Sequence, residues 1–291
     1  MSHEAPLPAA VGYKLVKLAN GSHSVHSLAH RETFHPVIGP VAEAEALYVR
    51  QITLLEGLRQ HSGELVIWDV GLGAAANALT VLRATQNIHC PVHLLSFDNT
   101  VEPLEFALQH SQELQYLAGY EKPLLSLLRS RRARFQDGSR LVTWALHLGD
   151  FPALLAQPPA EKLEKPHAIM FDPFSPAKNP AMWTLPLFSR LFRLLDPNRP
   201  CALPTYSRST MLRVTLLLAG FYVGVDHATG EKEETTIASN KMELVSEPLD
   251  RDWLQRARRS TSAEPLQEPI YRQARVSAGT WEQLQDHPQF R

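Results

Sequence analysis

The chain has 291 residues, enough for one large or two small domains at roughly 150 residues each, with a core that needs no metal or disulfide staple. Hydrophobic residues at 44% and charged residues at 20% exclude wholesale disorder. Lys plus Arg (29) nearly cancels Asp plus Glu (30), so no global basic field points to nucleic acid, and any such site has to be a local patch.

From the N-terminus, MSHEAPLPAAVG lacks the basic and apolar regions of a secretory signal. The next segment, KLVKLANGSHSVHSL, places two extended runs around Asn20-Gly21, a dipeptide suited to a tight turn, and predicts a small β-hairpin. Over 41–58, Val41, Leu47, Tyr48, Ile52 and Leu55 recur at helical intervals and predict an amphipathic helix. Strand-like runs at 65–69, 92–98, 141–149, 168–172, 202–206, 222–226 and 234–239 then alternate with helical patterns at 77–83, 103–118, 182–195 and 210–219. Such alternation predicts an α/β fold: a mostly parallel seven-stranded sheet with helices on both faces and an antiparallel last strand. Beyond Val245 the chain is rich in Arg, Gln, Pro and Glu and reads as a peripheral tail with at most one short helix. The expected organisation is an N-terminal extension over 1–58, the main domain over 59–245 and the tail over 246–291.

Cys90 and Cys201 belong to no CxxC or Cys/His ligand spacing, and the histidines show no HExxH, so neither a metal nor a disulfide framework is expected. The apolar stretch around 214–225 falls short of the ~20 residues of a membrane span. A cytoplasmic protein without membrane attachment is the expectation. GxSxG and GxxxxGK[ST] are absent, which removes serine-hydrolase and P-loop chemistry.

The strongest ligand signal is LVIWDVGLGAAANAL, where a hydrophobic strand ends in Asp69 and runs through Gly71 and Gly73 into a helix. In an open α/β sheet, nucleotides bind beyond the carboxyl ends of the strands, and glycines there let backbone approach the ligand. Three further strands end in acids: Asp98, Asp150 and Asp172. Buried strand ends do not carry four carboxylates without polar partners, so the row describes a ligand crevice, although each acid alone serves equally well as a helix N-cap. A dinucleotide pyrophosphate prefers a third glycine where this chain has Ala76, and avoids carboxylates. The cationic cofactor S-adenosylmethionine tolerates both.

At the fourth strand, FDPFSPAKNPAMW (171–183), followed by TYSRSTMLRVTLLLAGF (205–221), resembles the methyltransferase domain of MnmC, the bifunctional enzyme of 5-methylaminomethyl-2-thiouridine synthesis in tRNA. ETFHPVIGPVAEAEALYV (32–49) and DVGLGAAANAL are similar to two further segments of that family. The resemblance implies a Rossmann-like class I methyltransferase that uses S-adenosyl-L-methionine to N-methylate 5-aminomethyluridine at the tRNA wobble position, without metal. It implies cofactor contacts from Glu43, Asp69, Gly71, Gly73, Asp98 and Asp150, and a catalytic Asp172. Phe174, Lys178, Asn179, Pro180, Trp183 and Tyr206 would border the target base, with core packing the competing reading for Phe174 and an equal one for Trp183, and His35 could line the same pocket. Partners are tRNA and the enzymes that install the aminomethyl group. The family's glycine-rich loop has Ala74 and Ala75 here, and 291 residues leave no room for the family's flavin oxidase domain, so no flavin is expected. Another RNA, a small amine, or a non-catalytic cofactor-binding role are the alternatives. The runs at 129–135 and 251–259 are the best basic patches for an RNA backbone, with simple solvated faces as the competing reading.

Overall fold

In the computed structural model of the chain, residues 12–50, 63–87, 89–226 and 234–291 are described. Tyr13–Lys17 (β1) and His23–Ser27 (β2) form the expected antiparallel hairpin, pairing Tyr13 with Ser27 and Lys17 with His23. Gly21 helps turn it at φ 85°, a left-handed value open to glycine without steric cost. A two-residue strand, Glu32–Thr33 (β3), adds to β2 and makes a three-stranded sheet, a run too short for periodicity to register. Pro40–Ala44 (α1) begins on proline, whose missing N–H is no loss at a helix start. The expected helix continues as a π-helical stretch, Glu45–Arg50, with Leu47 and Tyr48 fully buried; residues 51–58 of that expectation lie outside the described residues.

All seven expected strands of the main sheet form: Leu65–Val70 (β4), Val92–Asp98 (β5), Arg140–Leu148 (β7), Ala168–Phe171 (β8), Ala202–Thr205 (β9), Tyr222–Asp226 (β10) and Thr235–Ser239 (β11). Arg132–Asp137 (β6) and Glu247–Pro248 (β12) extend the sheet at its two edges, correcting seven strands to nine in the order β12-β10-β11-β9-β8-β4-β5-β7-β6. Sequence pattern hides both. RARFQD points arginines outward from an edge, where they read as a charged loop, and Glu-Pro is a proline-containing strand tolerable only at an edge. The five strands from β9 to β7 are parallel, while β11, β10, β12 and β6 each run antiparallel to a neighbour.

Both faces of the parallel centre are covered. Along β4, Leu65 and Ile67 enter one core with Leu79, Leu94 and Trp144, whereas Val66, Trp68 and Val70 enter a second with Phe97, Phe171 and Phe188. The helices that supply these cores include Ala76–Ala84 (α2), Glu102–Gln109 (α3), Leu185–Leu194 (α7) and Thr210–Ala219 (α8). The expected 103–118 helix is interrupted: after α3 a short turn Ser111–Leu114 (α4) ends at Gln115, whose φ of 55° leaves the helical region. Between them and α7 come Glu121–Ser130 (α5) and Phe151–Ala156 (α6).

Residues 246–291 pack more closely than a peripheral tail with at most one short helix. Arg251–Arg259 (α9) buries Trp253, Leu254 and Ala257, and Ala278–Gln285 (α10) buries Trp281 and Leu284. The Gln289 side chain accepts from Val223 N and donates to the Val223 and Leu249 carbonyls, tying the last residues to β10. Few apolar side chains per helix among polar ones conceal this packing from a composition argument. Among the described residues no helix is long and apolar enough to cross a membrane.

Candidate active site

A cavity of about 510 Å³ opens at the carboxyl ends of the central strands, with the loop after β3 forming its outer wall. Its floor begins where β4 ends. Gly71 turns the chain at φ 94°, and a Cβ there would stand 2.8 Å from the Asp172 carbonyl oxygen, so only glycine lets the loops after β4 and β8 pass this closely. Gly73 N donates to Asp98 Oδ2 at 2.9 Å, and Asn99 N donates to Asp98 Oδ1 at 2.7 Å. Burial pushes the Asp98 carboxyl above its ordinary range against the opposing effect of these backbone donors. Ala75, which precedes α2, is held at φ 63°, a left-handed conformation costing an L-residue about 1–2 kcal/mol that a glycine would not incur.

Asp172 stands just beyond β8. Its Oδ2 accepts from Asn77 Nδ2 at 2.7 Å and lies 3.1 Å from His35 Nε2, whereas Oδ1 takes no hydrogen bond from a described residue. His35 is itself 3.2 Å from Asn77 Oδ1 and sits at φ 49° on a bulky side chain, a strained conformation of the kind that concentrates at functional sites. Burial alone would lower the His35 pKa; the hydrogen bond and charge of Asp172, with the charge of Glu43, outweigh it and raise the value above the ordinary one. Because Asp172 Oδ2 and Asn77 Oδ1 are both acceptors, His35 Nε2 is the donor between them, and with Asn77 it fixes one carboxylate oxygen.

The outer wall is aromatic. Phe174 stacks on His30 with ring centroids 4.0 Å apart and meets Phe34 edge-on at 5.6 Å. Ser175 Oγ donates to Glu32 Oε1 at 2.5 Å, pinning β3 to the loop after β8. Tyr206 donates its hydroxyl to the Pro173 carbonyl at 3.1 Å and closes the β9 side.

A glycine-walled cavity at the carboxyl ends of parallel strands, rimmed by Glu43, Asp98, Asp150 and Asp172, is the architecture of a nucleotide or nucleoside site. Residues 116–241 match the family model described as S-adenosyl-L-methionine-dependent methyltransferase. Over those residues the chain is similar to that family. It is 36% identical over 183 residues to the tRNA 5-methylaminomethyl-2-thiouridine biosynthesis bifunctional protein MnmC of Ectopseudomonas mendocina, covering 59% of this chain and 26% of that one. It is 29% identical over 232 residues to the MnmC of Aeromonas hydrophila, covering 74% and 34%. The chain thus spans about a third or less of the curated relatives it matches. The solved structure of MnmC2 from Aquifex aeolicus superposes with a TM-score of 0.69 at 23% identity, over 96% of this chain and 85% of that one, and shares its fold. The resemblance to the MnmC methyltransferase domain stands on these matches.

Of the expected site residues, Glu43, Gly71, Gly73, Asp98, Asp150, Asp172, Phe174, Asn179 and Tyr206 all line the cavity. Asp150 also caps α6, with Oδ2 accepting from Ala153 N at 3.0 Å, so the two readings of that acid coexist. Four expected residues stand away from it. Lys178 is exposed, Pro180 opens the 3-10 turn Pro180–Trp183, and neither lines the cavity. Trp183 is fully buried and donates Nε1–H to the Phe174 carbonyl at 2.8 Å, a core residue that supports the loop from behind. Asn77 and Glu32 went unremarked in sequence: Asn77 is one polar residue in an alanine run, and only the fold brings it to Asp172.

Asp69 is the fourth. It is 1% exposed beneath the floor, where Oδ2 accepts from Ser96 Oγ at 2.7 Å and Oδ1 has no partner among the described residues. Burial raises its carboxyl pKa from 3.8 to about 7. The folded state then binds the proton more tightly than the unfolded chain, so this group subtracts stability as pH rises between those two values. Asp69→Asn is expected to match the wild type at pH 4 and to exceed it at pH 8 by up to roughly 4 kcal/mol at 1.36 kcal/mol per unit, read from urea melts. A difference that does not widen with pH would mean that Asp69 stays ionised.

Proposed function

We propose that the chain transfers a methyl group from S-adenosyl-L-methionine to the amine of 5-aminomethyluridine at the tRNA wobble position, giving 5-methylaminomethyl(-2-thio)uridine. The observation that carries this reading is Asp172, clamped at Oδ2 by Asn77 and His35 with Oδ1 left for a donor, at the junction of the glycine-walled floor and the aromatic wall. The names of the relatives supply the substrate. A cytoplasmic location and action after the enzymes that install the aminomethyl group go with it.

The residues present fit the cofactor. Gly71 lets the loops after β4 and β8 pass closely enough to form one wall of the cavity, and Asp98, oriented by three backbone N–H groups, retains acceptor capacity for a ribose diol. Asp150 has a second oxygen for an adenine amino group, and Glu43 and Asp172 supply negative charge suited to an ammonium and a sulfonium. When bound, the cofactor supplies an electrophilic methyl group on that sulfonium.

The chain's own task is alignment, which is worth up to ~7–11 kcal/mol when the geometry is right. Asp172 Oδ1 accepts a hydrogen bond from the acceptor amine and points its lone pair. An amine of the lysine kind, pKa about 10.4, has to be neutral to react, which costs roughly 4–5 kcal/mol at pH 7. Phe174 and Tyr206 provide the ring surface beside an extruded uracil.

Incubation with methyl-labelled cofactor and tRNA bearing 5-aminomethyluridine should place label in the wobble nucleoside; label elsewhere, or none, sinks the reading. Asp98→Ala is expected to weaken cofactor binding by ~1–3 kcal/mol through lost charge-assisted hydrogen bonds, with tRNA affinity unchanged. Calorimetric titration reads this directly, and an unaltered cofactor affinity would remove Asp98 from the site.

A further inference from the structure

An extruded nucleotide puts its base into a cavity and leaves its phosphates at the mouth, so a site built for one needs a cation there. The cavity is otherwise acidic: Glu32, Glu43, Asp98, Asp150 and Asp172 line it, and among the described residues Arg31 is the one arginine or lysine that does. A wall of carboxylates repels a phosphodiester unless a positive charge meets it first. Arg31 is exposed, so it stands where the cavity meets solvent.

The backbone around it is fixed. Arg31 closes the turn between β2 and β3, and both of its neighbours hold the loop after β8. His30 stacks on Phe174 with ring centroids 4.0 Å apart, while the Glu32 carboxylate accepts from Ser175 Oγ at 2.5 Å and from Ser175 N at 3.4 Å. Arg31 therefore belongs to the aromatic wall. Its own side chain is uncommitted, since no hydrogen bond or ion pair joins it to a described residue. Its φ of 55° is left-handed, a conformation that glycine or asparagine adopts at less cost, so the turn alone does not account for an arginine at this position.

We propose that Arg31 takes a backbone phosphate flanking the extruded uridine, at the mouth of the cavity beside Phe174. The proposal rests on the tRNA reading above and adds to it the contact that orients the nucleotide as its base enters. Arginine suits the task because its fork of donors matches phosphate oxygens. The cofactor's carboxylate is the competing anion, and the exposure of Arg31 favours a ligand group that stays outside the cavity.

The test is a binding cycle read by fluorescence anisotropy. It uses an anticodon stem-loop RNA with 5-aminomethyluridine at the wobble position, and the same RNA with neutral methylphosphonates in the linkages on either side of that uridine. At low salt R31Q should bind the all-phosphate RNA about 10-fold more weakly than the wild type, with a log–log salt slope shallower by ~0.7–0.9, the share of one phosphate contact. The methylphosphonate RNA should cost the wild type the same factor and cost R31Q nothing more, because both changes remove one contact. R134Q, on β6 at the far edge of the sheet, is the charge control, and any loss it shows should add in full to that of the neutral linkages. Cofactor affinity by calorimetric titration should be the same in R31Q and the wild type, showing that the cavity is intact. An unchanged R31Q, or a loss that adds to that of the neutral linkages, overturns the phosphate contact; a loss of cofactor affinity alone assigns Arg31 to the cofactor's carboxylate and overturns it too. A wild type that shows the cycle but transfers no methyl group overturns only the reaction; one that binds no RNA overturns both.

Discussion

Asp172→Ala is expected to lower single-turnover methylation of 5-aminomethyluridine tRNA by ~10²-fold or more at saturating cofactor, with the fold and most cofactor affinity retained. The loss follows from geometry: without Oδ1 the acceptor amine has nothing to fix its lone pair, and the two donors that now converge on Oδ2 are left facing a void. Asp172→Asn should be nearly as poor. Asn77 Nδ2 and His35 Nε2 both require an acceptor at the Oδ2 position, so an asparagine is held with its carbonyl toward them and its NH2 toward the cavity, presenting donors where an acceptor is needed. For both variants the rate should rise from pH 7 to 10 as more of the amine becomes neutral, because that equilibrium belongs to the substrate. Near-normal turnover in both would remove Asp172 from the reaction, and high activity in the asparagine variant alone would show that the clamp does not set the orientation.

Trp183→Ala is expected to cost about 3–5 kcal/mol of stability, the usual range for emptying an aromatic site in a core. Trp183 packs edge-to-face against Phe171 at 5.4 Å and against Tyr206 at 5.9 Å, and its indole N–H is the donor for the Phe174 carbonyl. At ~2–4 °C per kcal/mol, the melting temperature should fall by roughly 10 °C. Trp183→Phe keeps a ring in the site and loses only the hydrogen bond, so it should fold well while methylating more slowly, through a loosened Phe174 loop. A Trp183→Ala protein with wild-type melting behaviour and weakened RNA affinity would put the indole against the base instead.

Sequence by itself determined the elements whose physical signal is local. Asn20-Gly21 sets the hairpin because its backbone freedom is a property of two residues. The apolar runs become strands because both faces of the central sheet must be buried, and that demand is written into each run separately. The glycine loop and the row of acids at strand ends were legible for the same reason: Gly71, Gly73, Asp98, Asp150 and Asp172 stand at the ends of their own strands, and parallel strands deliver their ends to one crevice. Tertiary structure decided what depends on approach between distant segments. His35 and Asn77 reach Asp172 from sequence separations of 137 and 95 residues, and no periodicity encodes such a meeting. Asp69 ends a strand as the other acids do, yet one residue of register turns it into the sheet's core face beside Ser96. Trp183 closes the SPAKNPAMW segment, where base stacking and core packing read alike from sequence, and the 3-10 turn settles it by placing the indole in the core. Residues 246–291 looked peripheral by composition because charge dilutes a helix's mean hydropathy, whereas burial is settled by which few side chains share a face and whether another apolar surface is there to receive them.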